Sequence, residues 1–128
     1  MRNEPRSKAD LTVASVFGQI TLLMTQSPQH KHLFLSDLEW LVMPPIMLRQ
    51  FRIFMNKERP VGAVLWALAS DEVAERAQES ARSIKPDEWR SGSRLVIVDV
   101  VAPFGSADSF RTEIETAFNT SGSADTSS

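Results

Sequence analysis

Two histidines, His30 and His32, lie close together in this 128-residue chain, and a single aspartate, Asp99, interrupts the aliphatic run Leu95-Val96-Ile97-Val98-Asp99-Val100-Val101. An acidic side chain inside such a run loses hydration unless a partner compensates it. One candidate partner is an imidazole, which a carboxylate can orient, and such a pair serves general-base or nucleophilic chemistry. The competing reading places Asp99 at an exposed strand end, bonded to nearby backbone, with both histidines inert in a surface loop. Spacing alone leaves these alternatives open. Two histidines at i, i+2 without cysteine make a poor metal site, so no metal is expected. No G-x-S-x-G elbow supports serine catalysis, and no glycine loop for a nucleotide is present.

Several elements would have to position these residues. Val13, Val16, Phe17, Ile20, Leu23 and Met24 recur at helical spacing, which predicts a helix over 11–24 with Asp10 as its N-cap. Ser27-Pro28 ends it, because proline disfavours the α region for the residue before it. The loop with His30, Lys31 and His32 follows, then a short helical turn over 36–41 and a break at Pro44-Pro45. Residues 50–55 and 61–69 read as a hairpin about the turn Asn56-Lys57-Glu58-Arg59-Pro60. Ser70 is set to cap a helix running to about Arg82, with Asp71 and Glu72 in its first turn. The run over 95–101 suits a central strand buried on both faces. A last helix carries Phe110, Ile114, Ala117 and Phe118 on one stripe, capped by Ser106 or Asp108. Residues 1–9 are expected to form a flexible arm, 10–118 one folded domain, and 119–128 a disordered Ser/Thr-rich tail. This order implies an α/β sandwich around a mostly antiparallel sheet.

Composition sets the outer limits. The apolar fraction is 42%, the charged fraction 23%, and the net charge −2, so bulk nucleic-acid binding is not indicated. No apolar run is long enough to cross a bilayer, and no signal peptide is visible. The absence of cysteine excludes disulfides and thiol nucleophiles and fits a reducing compartment. Charge is unevenly spread: residues 1–60 carry 8 Lys/Arg against 5 Asp/Glu, and residues 61–128 carry 6 against 11. Arg49, Arg52, Lys57 and Arg59 cluster about the predicted hairpin, either as a solvated face or as a patch that steers an acidic partner.

Five segments occur in a telling order: Phe17-Gly18-Gln19-Ile20; Ser27-Pro28-Gln29-His30-Lys31; Pro60-Val61-Gly62-Ala63-Val64-Leu65-Trp66-Ala67; Trp89-Arg90-Ser91-Gly92-Ser93-Arg94; and Val98-Asp99-Val100-Val101-Ala102-Pro103-Phe104-Gly105. Together they resemble the RTX toxin-activating lysine acyltransferases, over about residues 11–118. The resemblance implies a GNAT-like N-acyltransferase sandwich. It also implies transfer of a fatty acyl group from acyl carrier protein to an internal lysine of an RTX protoxin in the cytoplasm. Acyl-acyl carrier protein would be a co-substrate, with no bound cofactor. The family's catalytic histidine and aspartate fall on His30 and Asp99, and Ser27 matches a supporting serine. Either His30 takes the lysine proton as a general base, or it first accepts the acyl group itself. Acyl carrier protein is strongly acidic, which gives Arg49, Arg52, Lys57 and Arg59 a docking role.

The chain also departs from the family's pattern. Ser93 stands where an acidic residue is common, Val96 where an aromatic is common, and Leu22 and Met24 replace aromatics of the first helix. It stops soon after the last predicted helix, whereas relatives continue with further strands, so the sheet is expected to be C-terminally shortened. An edge left open in this way favours a homodimer. The alternative function is a non-catalytic relative that binds acyl carrier protein or a toxin-like partner.

Overall fold

A computed structural model of the chain describes residues 12–127, with side chains through Thr120. The expected arm at 1–9 and Asp10 lie outside the described residues, as do the tail side chains beyond Thr120. The first helix, α1 (Val13–Thr25), is capped by Thr12, whose hydroxyl accepts the Ser15 N–H at 3.1 Å. Its buried residues Val16, Ile20, Leu23 and Met24 form one stripe at the predicted spacing. Beyond the Ser27-Pro28 break come α2 (Leu35–Leu41) and α3 (Met43–Met47). Pro44 and Pro45 therefore do not end regular structure. They occupy the first turn of α3, where a missing backbone N–H has no intrahelical partner to lose.

The hairpin forms from β1 (Phe51–Asn56) and β2 (Arg59–Ala69), then α4 (Asp71–Glu79), β3 (Arg94–Val101) and α5 (Ala107–Ser127). Short 3₁₀ turns at Ala81–Ser83 and Pro86–Glu88 join α4 to β3. Ser70 caps α4 as expected, accepting the Val73 N–H at 3.2 Å. The helix stops at Glu79, three residues before the predicted end. The helix α5 is continuous with the segment read as a tail from residue 119.

The strands make one antiparallel sheet of order β1-β2-β3, with helices on both faces, in a small mixed α/β domain. This corrects the position expected for residues 95–101. The central strand among the described residues is β2, and β3 lies at the edge. Its aliphatic run reflects cover on both faces rather than a neighbour on both sides. On one face Ala63, Leu65 and Val101 pack against α1, α2 and α3, while Ala67 and Ala69 meet Val73, Ala74, Ile84 and Trp89. On the other face Phe54, Val64 and Trp66 meet Phe110, Ile114 and Phe118 of α5. Ala117, expected on that stripe, is exposed instead.

Two glycines of the ordered segments have packing reasons. A Cβ on Gly62 would lie 2.2 Å from the Phe110 ring, and one on Gly92 would lie 2.5 Å from the Ala69 carbonyl oxygen. Gly92 thus lets the loop before β3 cross the end of β2 at backbone contact. The same loop is pinned by Gln50, which is buried and donates to the carbonyls of Trp66 and Trp89 at 3.2 and 3.0 Å. Arg90 Nε in turn donates to Gln50 Oε1 at 3.0 Å.

One ion pair links α4 to this loop. Arg76 donates through both guanidinium nitrogens to the Glu88 carboxylate at 2.9 Å, and the Lys85 N–H donates to it as well. The Arg76 fork first, then the Lys85 N–H, pushes the Glu88 pKa down from the ordinary 4.5 to about 2. A depressed carboxylate pKa stabilises the fold fully above the unfolded value, and that stabilisation fades as pH falls towards the folded value. The urea midpoint of the wild type is therefore expected to exceed that of Glu88→Gln above pH 5. The difference should shrink between about pH 4.5 and 2; a gap that does not change with pH would remove this role.

Candidate functional site

His30 is placed by the chain reversal that follows α1. The Ser27 N–H donates to the Met24 carbonyl at 3.1 Å, and the Ser27 carbonyl accepts the N–H groups of His30 and Lys31, each at 2.9 Å. This turn directs the imidazole inward, so that the side chain of His30 is only 8% exposed. The Ser27 hydroxyl lies 2.5 Å from His30 Nδ1 and is itself 1% exposed. The other nitrogen, Nε2, lies 2.9 Å from both Oδ1 and Oδ2 of Asp99. Residues 69 positions apart thus meet in one contact.

Asp99 reaches this position through an irregularity in β3. Leu65 of β2 is opposite Asp99 and Trp66 is opposite Ile97, which leaves Val98 as the extra residue of a β-bulge. Regular alternation would send Val98 and Asp99 to opposite faces. The bulge keeps both on the α1 side: Val98 packs in that core and Asp99 meets His30. Ile97 and Val100, on either side, pack towards α5. An acid within the aliphatic run is therefore buried on one side by its histidine and open on the other, with 19% of its side chain exposed.

The pair opens into a cavity of about 490 Å³ between β3, α2 and the start of α5. Leu33, Trp40, Leu41 and Val98 supply an apolar wall, and Gln29 and Arg111 supply polar groups. Trp40 is held by its indole N–H, which donates to Asp37 at 3.1 Å. The Phe34 N–H, then the Trp40 indole and the Arg82 guanidinium, hold the Asp37 carboxyl below the usual carboxylate range. An apolar wall beside an acid–imidazole pair suits an acylated chain and a reaction that moves a proton.

Of the expected site residues, Ser27, His30 and Asp99 come together. His32 is exposed and away from the pair, and no cluster able to hold a metal occurs among the described residues. The basic cluster lies elsewhere. Arg52, on β1, is two strands from Asp99; it pairs with Glu113 of α5 at 2.7 Å and covers the Phe54 ring. Arg49, Lys57 and Arg59 are exposed at the ends of β1 and β2. Sequence reasoning missed Arg111, Trp40 and Gln29. Arg111 sits on an exposed helix position, 4.0 Å from Glu115, so no periodicity distinguishes it. Gln29 stands directly before His30 and could have been found there.

Comparison with known proteins places the chain in a family. The profile of a family described as HlyC, RTX toxin acyltransferase, matches residues 9–123. The chain is similar to the lysine-acyltransferase RtxC of Vibrio cholerae, with 33% identity over 103 residues, 76% of this chain and 66% of that protein. It is also similar to the RTX-II toxin-activating lysine-acyltransferase ApxIIC of Actinobacillus pleuropneumoniae, at 33% over 73% of this chain and 58% of that protein. The protein-lysine myristoyltransferase RtxC of Kingella kingae is 30% identical over 73% of this chain and 56% of its own length. The chain thus spans less than two thirds of the length of each of these relatives.

Proposed function

We propose, because this chain belongs to the RTX toxin acyltransferase family, that it is a protein-lysine acyltransferase. In this reading it moves a fatty acyl group from acyl carrier protein to an internal lysine of an RTX protoxin and so activates the toxin. The observation that carries it is the contact of His30 Nε2 with the Asp99 carboxylate at 2.9 Å, at the mouth of a partly apolar cavity. Three antiparallel strands covered by helices on both faces are consistent with a GNAT-like sandwich.

The chemistry asks for such a pair. A lysine amine has a reference pKa of about 10.4 and is mostly protonated at neutral pH. It must lose a proton as its nitrogen bonds to the thioester carbonyl carbon and the carbon–sulfur bond breaks. The His30–Asp99 pair takes that proton and returns it to the departing sulfur, with Ser27 fixing the ring from behind. The apolar wall at Leu33, Trp40 and Leu41 receives the acyl chain. A donor on acyl carrier protein places the reaction in the cytoplasm; among the described residues no strand pairs with the outer edge of β3, which would accept a second copy of the chain.

Incubation with long-chain acyl-acyl carrier protein and an RTX protoxin, followed by mass analysis of its lysines, tests this reading. Acylated lysine is expected with the wild type and not with His30→Ala. Binding of acyl carrier protein without transfer for any acyl length would instead leave a binding module. Docking of the acidic carrier is assigned to Arg49, Arg52, Lys57 and Arg59, on the hairpin side of the sheet. Reversing Arg49, Lys57 and Arg59 to glutamate is expected to slow association about 10-fold or more at low salt, with little effect at high salt. Unchanged carrier association would remove this surface from the reading.

A further inference from the structure

We infer that Asp99 is the group that meets the acceptor amine, and that His30 is the positioning residue that holds its carboxylate; this rests on the acyl-transfer reading above. Protons and lone pairs at this contact distinguish the two residues. His30 Nε2 faces two carboxylate oxygens at 2.9 Å, so it must carry a hydrogen there; a bare nitrogen would set its lone pair against two acceptors. With Nε2 protonated, neutral imidazole has one lone pair left, on Nδ1. The Ser27 oxygen lies against Nδ1 at 2.5 Å, in a position closed to solvent: it either gives its hydrogen to that lone pair or, when the hydrogen goes to Gln29 Oε1 at 3.3 Å, accepts one from a protonated Nδ1. If Nδ1 is protonated as well, the ring has no lone pair at all. Beside an ionised Asp99, His30 thus lines the cavity but offers it no acceptor.

Asp99 differs. An ionised carboxylate has about four lone-pair sites, and the Nε2–H occupies only the side turned to the ring. Its exposed fraction, 19% against 8% for His30 and 1% for Ser27, marks it as the outermost of the three. The order is the reverse of a Ser-His-Asp triad, in which the acid lies deepest and the serine faces the substrate. Ser27 is thus no nucleophile. An acyl-histidine intermediate is disfavoured too, since neither ring nitrogen has a lone pair free to attack a thioester. The bulge at Val98 gains a purpose: it turns Asp99 to the face where His30 can hold it.

The step balances with these residues. The neutral lysine amine attacks the thioester carbonyl carbon and a carbon–nitrogen bond forms. The proton on that nitrogen passes to an Asp99 oxygen. It then moves to the sulfur as the carbon–sulfur bond breaks, giving an amide and a thiol with the carboxylate restored. The Nε2–H of His30 stays on the ring throughout.

The test uses the full chain with acyl-acyl carrier protein and protoxin. In His30→Gln an amide N–H replaces the Nε2–H towards Asp99, and that amide cannot serve as a base. His30→Gln is expected to lose about 10-fold in kcat and to keep the acidic limb of the kcat/KM profile. Asp99→Asn is expected to lose about 10³-fold or more. Equal inactivity of both variants, or loss of that limb in His30→Gln, would overturn the inference while leaving acyl transfer intact. No transfer by the wild type would remove the parent reading, and the inference with it. A readout independent of turnover is ¹⁵N NMR of the imidazoles, with His32→Asn identifying His30. Nε2 is expected to be protonated throughout; an unprotonated Nε2 overturns the assignment.

Discussion

His30→Ala, Asp99→Ala and the double variant are each expected to lower kcat for lysine acylation by about 10²–10⁴-fold, with the double variant no worse than the worse single one. The reason is geometric. The two side chains share one contact and serve one proton transfer, one holding the other in place, so removal of either disables the unit. Independent contributions would instead multiply. The pair lies at a cavity mouth, so truncation is expected to leave the fold in place, and a circular dichroism melt beside the acylation assay separates the two effects. Acylation by either single variant at wild-type rate would dissociate that residue from the chemistry. Multiplicative losses would show that His30 and Asp99 serve separate steps.

Trp89→Ala is expected to have the largest effect on stability, about 3–5 kcal/mol. Trp89 is 1% exposed and fills the core beneath α4, against Ala67, Ala69, Val73, Ala74 and Ile84. Its backbone carbonyl also accepts the Leu68 N–H at 2.9 Å and the Gln50 amide at 3.0 Å. The side chain thus sets the position of a loop that ties β2 to β3. Domains of this kind are stable by only about 5–15 kcal/mol, so the loss would consume much of the total. The urea midpoint measures it. Trp89→Phe, which keeps a ring in place, should recover a large part; equal loss in both variants would mean that the indole shape rather than buried volume matters.

Both predictions fall on residues of the ordered segments, but for different physical reasons. His30 and Asp99 meet at the cavity. Trp89, Gly92, Arg90 and Gly62 do not. Trp89 is core, Gly92 admits a backbone crossing, Arg90 holds Gln50, and Gly62 makes room for Phe110. A short motif therefore records a requirement without saying whether it is chemical or steric. Tertiary contacts decide that.

Local physics determined much of this protein from the sequence alone. The 3.6-residue spacing of Val16, Ile20 and Leu23 gave α1, and Ser70 with Asp71 and Glu72 gave the start of α4. The turn about Lys57 gave the hairpin, and Asp99 stood out because a carboxylate is costly among aliphatic side chains. These signals act over a few residues, so the chain carries them explicitly. What the tertiary structure alone decided depends on pairing between distant segments. A run such as Leu95–Val101 is equally apolar at the centre of a sheet or at its edge when helices cover both faces, and only strand order places β3 outside. The bulge at Val98 exists only in its register with β2, and that register puts Asp99 on the face of His30. The spacing of 69 residues between the pair has no period to read. The order of burial, Ser27 deepest and Asp99 outermost, likewise follows from how α1, β3 and the loop between α1 and α2 close on one another. The sequence named two residues that can share a hydrogen bond; the fold brought both to the wall of one cavity and left Asp99 the more exposed.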